Sequence, residues 1–75
     1  MSITVRYFAS LREHLGRSED FIDAAEVATI ADVLAKVAPE VNVHILAALN
    51  HAYVSYSHPV ADGDEVAFFP RVTGG

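Results

Sequence analysis

Ile30, Val33, Leu34 and Val37 fall at i, i+3, i+4 and i+7, a single apolar stripe on one face of a helix. Thr29 stands where an N-cap is needed, with Asp32 three residues on, as in a capping box. Pro39 closes the segment, because the residue before a proline avoids the α region. A helix this short cannot hold itself together in water; it needs a second layer against which to bury its stripe. The flanking segments have the period of strands, so that layer is a sheet.

Ile3, Val5 and Tyr7 alternate with Thr4, Arg6 and Phe8, the period-2 pattern of a half-buried strand. Ser10 to Glu13 has the spacing of a capping box, and a short helix to about Leu15 is expected, ended by Gly16. Glu19 to Asp23 reads as a thinly apolar strand, either at an edge or heavily solvated, that pairs back on the first. Beyond the main helix, Val41 to Val43 reads as irregular and Ile45 to Leu49 as a buried strand. A tight connection at Asn50-His51 leads into a strand over Ala52 to Tyr56. His58-Pro59 and Asp62-Gly63 are turn chemistry, and Glu65 to Phe69 forms the last strand, stopped by Pro70. The order ββαβββ describes an α+β protein of the β-grasp type, the ubiquitin-like roll. It has a mixed five-stranded sheet, one main crossover helix and a short helix after the first strand. In that arrangement the first and last strands are neighbours at the sheet centre. The expected organisation is a β-grasp domain over 1–70 and an extended tail over 71–75.

Length and composition bound the function. Seventy-five residues make one small domain, one that buries only about 60% of the surface its unfolded chain exposes. The 52% apolar content suffices for a single core, and the absence of cysteine excludes disulfides, zinc-thiolate sites, iron-sulfur clusters and a cysteine nucleophile. Ten acidic residues against five basic ones leave a net charge of −5, which argues against nucleic acid, whose phosphates need clustered Lys and Arg. The amino end shows neither a basic leader nor a long apolar run, so no membrane association is expected and a cytoplasmic location is the default. His14, His44, His51 and His58 straddle loops and separate strands, with no spacing that would converge on a metal, so no metal site is expected. Ser10, Ser18, Ser55 and Ser57 have no partnered base, and a hydrolase has no support.

The sequence ends in Gly74-Gly75, half of its four glycines. A terminal diglycine adds nothing to a core. It offers a thin strand ending in an α-carboxylate, able to thread a narrow channel in another protein. Extended, residues 71–75 span roughly 17 Å.

The stretch Ala48-Leu49-Asn50, the run from His58 through Asp62-Gly63-Asp64-Glu65-Val66-Ala67-Phe68-Phe69-Pro70, and the end Val72-Thr73-Gly74-Gly75 together resemble the small subunit of molybdopterin synthase. Val5-Arg6-Tyr7-Phe8-Ala9 with Leu11-Arg12 resembles the opening of the same family, whereas the acidic stretch from Arg17 to Val27 has little in common with it. One departure is Arg71, where many members have a second proline. The resemblance implies a sulfur carrier for molybdenum cofactor synthesis, not an enzyme by itself. An adenylating activating enzyme would use ATP on the Gly75 carboxylate. A sulfur donor, such as a cysteine desulfurase or a rhodanese-like protein, would convert it to a thiocarboxylate. The large synthase subunit, in a heterotetramer of two small and two large subunits, would bind the precursor pterin and receive the sulfur. No cofactor is expected on the carrier itself. A carboxyl terminus of pKa about 3.5 is an anion at neutral pH and a poor electrophile, which is why activation must precede sulfur transfer.

Strand alternation adds a docking face. If Val5, Tyr7, Val66 and Phe68 face the helix, Phe8 and Phe69 point away from it. Ala52, Val54 and Tyr56 facing inward leave Tyr53 outward. Phe8, Tyr53 and Phe69 are then expected to form an exposed aromatic patch near the root of the tail, an anchor for a partner. The expected site is therefore Gly75 with Gly74 at the chemistry, and Phe8, Tyr53, Phe69, Pro70, Arg71, Val72 and Thr73 at the interface. Two other functions share this tail chemistry: a sulfur carrier for thiamine thiazole or another metabolite, and a ubiquitin-like modifier conjugated through Gly75.

Overall fold

The computed structural model describes residues 2–39 and 45–70. Strand β1 spans Ser2–Tyr7, helix α1 Ala9–Leu15, β2 Glu19–Asp23, helix α2 Ile30–Val37, β3 Ile45–Leu49, β4 Ala52–Val54 and β5 Glu65–Pro70, with a 3-10 turn over Ala24–Glu26. The five strands form one sheet in the order β2-β1-β5-β3-β4. β1 and β5 run parallel at its middle, and every other pairing is antiparallel. This is the ubiquitin-like β-grasp expected from the order of elements.

One face of the sheet and the stripe of α2 make the core. Ile3, Val5, Val66, Phe68, Ile30 and Val33 are fully buried, with Tyr7, Ile22, Ile45, Ala47 and Val37 beside them. The alternation in β1 and β5 is therefore read correctly by period alone. Thr29 caps α2 as expected: its hydroxyl accepts from the Asp32 amide, and the Asp32 carboxylate accepts from the Thr29 amide at 3.1 Å.

Two local expectations need correction. Ser10 and Glu13 form no capping box. The Phe8 amide donates to the Phe68 carbonyl at 3.1 Å, extending the parallel ladder one residue past β1, so Phe8 occupies the N-cap position and Ser10 already lies inside α1. The chain turns from strand to helix at Ala9, whose φ of 54° is in the left-handed region. At the other end Gly16 (φ 74°) closes α1 as expected. The strand expected over Ala52 to Tyr56 stops at Val54. Tyr56 leaves the ladder because its hydroxyl donates to the Ile45 carbonyl and its own carbonyl accepts from the Ala31 amide, tying the loop to β3 and α2.

Asn50 and His51, with φ of 49° and 74°, form the two-residue loop between β3 and β4. The Asn50 side chain also fastens the start of β5, accepting from the Glu65 amide at 2.9 Å and donating to Asp64. The segment 41–43, expected to be irregular, lies outside the described residues.

Candidate partner-docking site

The face of the sheet turned away from α2 is set by strand parity. Leu46 stands opposite Phe69, Ala48 opposite both Ala67 and Tyr53, and Arg6 beside Ala67. Ala48 is the reason the aromatics meet. β3 separates β4 from β5, but at this level it offers only a methyl group, so the Tyr53 and Phe69 rings reach over it to a centroid distance of 5.6 Å, tilted by 58°. Such tilted pairs add about 0.5–1.5 kcal/mol beyond simple burial. Tyr53 is 75% exposed, Phe8 42% and Leu46 37%.

Of the residues singled out from sequence, Tyr53 and Phe69 are thus brought together. Phe8 lies one step past the Tyr7–Phe68 pair, at the level of Phe69, with its side chain exposed and outside the ring pair. Pro70 ends β5 opposite Ile45 and is half-buried, on the parity of the core face rather than of the aromatic one. Arg71, Val72, Thr73, Gly74 and Gly75 lie outside the described residues, so the tail and its chemistry rest on the sequence.

Leu46 was not anticipated. Read as a wholly buried strand, β3 hid it; its alternation with buried Ile45 and Ala47 was the signal. Phe21, on edge strand β2, is 66% exposed on the same face and was also missed.

The described residues hold no group of three or more His, Asp or Glu side chains placed to share a metal, and His44 lies outside them. No helix among them is long and apolar enough to cross a membrane. Among the described residues the site is a surface with exposed aromatics, built on the strand that leads into the carboxyl-terminal segment.

A β-grasp domain of this topology, followed in the sequence by a diglycine, places the chain in the ubiquitin-like class. The ThiS family model matches residues 5–75, and the chain belongs to that family. It is 40% identical to the molybdopterin synthase sulfur carrier subunit of Escherichia coli strain K12, over 97% of this chain and 99% of that one. Among solved structures, SAMP1 from Haloferax volcanii is 29% identical, with complete coverage of both chains and a TM-score of 0.78. A chain in the complex of subunits 1 and 2 of the molybdopterin-converting factor from Helicobacter pylori shares the fold, with a TM-score of 0.67 at 23% identity over the full length of both chains.

Proposed function

We propose that this protein is the sulfur carrier subunit of a molybdopterin synthase. The observation that carries the reading is the 40% identity to the E. coli carrier across nearly the whole of both chains. The geometry is in keeping with it: the aromatic face is built on β5, and the sequence runs from the end of that strand at Pro70 to Gly74-Gly75 in five residues.

In this reading 1–70 is the handle and 71–75 the delivery arm. The Gly75 carboxylate attacks the α-phosphorus of ATP on an activating enzyme, releasing pyrophosphate and leaving an acyl-adenylate. The terminal sulfur of a persulfide on a donor protein displaces AMP, forming an acyl disulfide. A second thiol then attacks the donor-side sulfur, is oxidised with it to a disulfide, and releases the thiocarboxylate, a soft nucleophile at the chain end. The large subunit, which binds the precursor pterin, receives the arm and supplies the acid-base groups; the carrier acts as a non-catalytic subunit in the cytoplasm. Tyr53, Phe69, Leu46 and Phe8 anchor the partners, while the glycines keep the arm thin enough for their channels.

Intact mass spectrometry of the protein from its native cell tests the chemistry. A species about 16 Da heavier, oxygen replaced by sulfur at the terminus, is expected, in line with nucleophilic sulfur chemistry at that group. Deleting Gly75 should abolish sulfur transfer while leaving Tm unchanged, since the residue lies beyond the last strand. Transfer by the truncated chain would overturn the tail mechanism. A modifier role is the second reading, favoured by the likeness to SAMP1, which a further H. volcanii structure calls a small archaeal modifier protein. Covalent ladders on lysines of cell proteins, absent from the Gly75 deletion, would establish it.

A further inference from the structure

We propose that the open edge of β2, on the far side of the sheet from the aromatic pair, docks an extended segment of another protein as a sixth strand. The segment is apolar at its centre and carries Lys or Arg two residues to either side.

The register shows which backbone groups are available. Tyr7 donates to the Ser18 carbonyl at 3.0 Å, which makes Tyr7 and Ser18 a hydrogen-bonded antiparallel pair. Counting in twos along β2, Asp20 and Ile22 also turn their amides and carbonyls toward β1. Glu19 and Phe21 turn theirs outward, and so does the Asp23 amide, whereas the Asp23 carbonyl and carboxylate are taken up by the 3-10 turn that follows. No loop or cap backbone bond among the described residues reaches Glu19 or Phe21 from that side. All three residues are exposed. An edge of this kind is a template for strand addition.

The side chains choose the occupant. On the outer face the edge presents Glu19, Phe21 and Asp23 in succession, an aromatic ring between two carboxylates. On the inner face, a cleft between β2 and the end of α2 is lined by Ile22 and Val37, with Arg17, Asp20 and Lys36 around it. The two cations there are engaged within the chain, Arg17 with Asp20 and Lys36 with Glu26. Arg6 stands opposite Glu19 in the ladder but makes no ion pair with it.

A second copy of the chain is a poor occupant. Antiparallel pairing about Phe21 would set Glu19 directly against Asp23 at both ends, and like charges so placed destabilise a sheet. A segment with Lys or Arg at those positions inverts the sign, puts its central side chain on Phe21, and sends a neighbouring apolar side chain into the cleft beside Ile22. The site is separate from the aromatic pair at the opposite edge, so a partner there leaves Tyr53 and Phe69 free.

The test uses the full chain and a synthetic peptide with the core Lys-Val-Ile-Val-Lys, whose symmetry makes strand direction immaterial. Backbone amide resonances of Glu19, Phe21 and Asp23 should shift, and their hydrogen exchange should slow, as the peptide is added. Affinity should fall with rising salt. A Glu-Val-Ile-Val-Glu peptide, and one with proline at the centre, should not bind. E19K should weaken binding about tenfold by reversing one cross-strand charge pair. F21S, at an exposed position, should weaken it without lowering Tm. Shifts confined to Leu46, Tyr53 and Phe69, equal binding of the acidic peptide, or a dimer of the chain alone formed through β2 would each overturn the proposal.

Discussion

Tyr7 is almost wholly buried, yet its hydroxyl finds a charged partner: it donates to Asp20 Oδ2 at 2.8 Å. Arg17 completes the arrangement. Its Nε donates to the same oxygen at 2.5 Å, its terminal nitrogen donates to the Val37 carbonyl at the end of α2, and its guanidinium lies 5.5 Å from the centre of the Tyr7 ring. Three side chains thus tie β1, β2 and α2 together. Partial burial works against the Asp20 charge, but the hydrogen bonds from Arg17 and Tyr7 outweigh it and hold the carboxyl below its ordinary range. A carboxyl whose folded pKa is depressed contributes stability above its unfolded value and loses it as pH falls through the folded one. D20N should therefore destabilise the domain by about 1 kcal/mol at neutral pH, the group being partly exposed. The difference in Tm from the parent should shrink below about pH 4. At the alkaline end, burial first, and then the Asp20 hydrogen bond and charge, raise the Tyr7 phenol above its ordinary value of 10.0. The unfolded chain then ionises first, so stability should fall as pH climbs past about 10. Y7F should flatten that fall, as thermal melts across alkaline buffers would show.

At the scale of elements, α2 was legible almost to the residue, because stripe, cap and terminating proline all agree. β2 was legible as an edge or heavily solvated strand from its thin apolar content, and β1 and β5 from alternation. Two features stayed hidden. Whether Ser10 caps a helix or sits inside one depends on the Phe8 amide finding the Phe68 carbonyl, a contact between residues 60 apart. Whether β4 reaches Tyr56 depends on a tyrosine hydroxyl choosing a carbonyl on β3. Local pattern contains neither fact. The Asn50-His51 loop was legible as a turn, though not the left-handed φ of both its residues. A two-residue loop of this kind favours glycine at its second position, where histidine is strained. H51G should stabilise the hairpin, raising the unfolding free energy by about 0.5–1 kcal/mol in urea titrations. T29A should cost about 1 kcal/mol by the same measurement, through loss of the α2 cap.

For the whole molecule, the two faces of one sheet divide the labour. The face toward α2 is packed from Ile3 to Phe68, so the outer residues can change without emptying the core. F69A illustrates the division: Phe69 is half-buried, and its ring rests on Tyr53 rather than on α2. The substitution should weaken capture of the synthase large subunit by at least 1 kcal/mol, measured by calorimetry. It should lower folding stability by less. The shared face of Tyr53 and Phe69 was legible from parity, but not the place of Phe8 outside their ring pair; residues 71–75 lie outside the described ones, so the tail is read from sequence alone.

The parallel seam of β1 against β5 has a consequence for how the molecule comes into being. Its first strand waits for its last: Thr4 cannot find Glu65, nor Tyr7 find Phe68, until some sixty intervening residues have been made. Such distant pairing makes assembly a late and slow event. A polypeptide cut short before β5 therefore has no middle to its sheet, and only a chain translated at least that far can bring Tyr53 and Phe69 together.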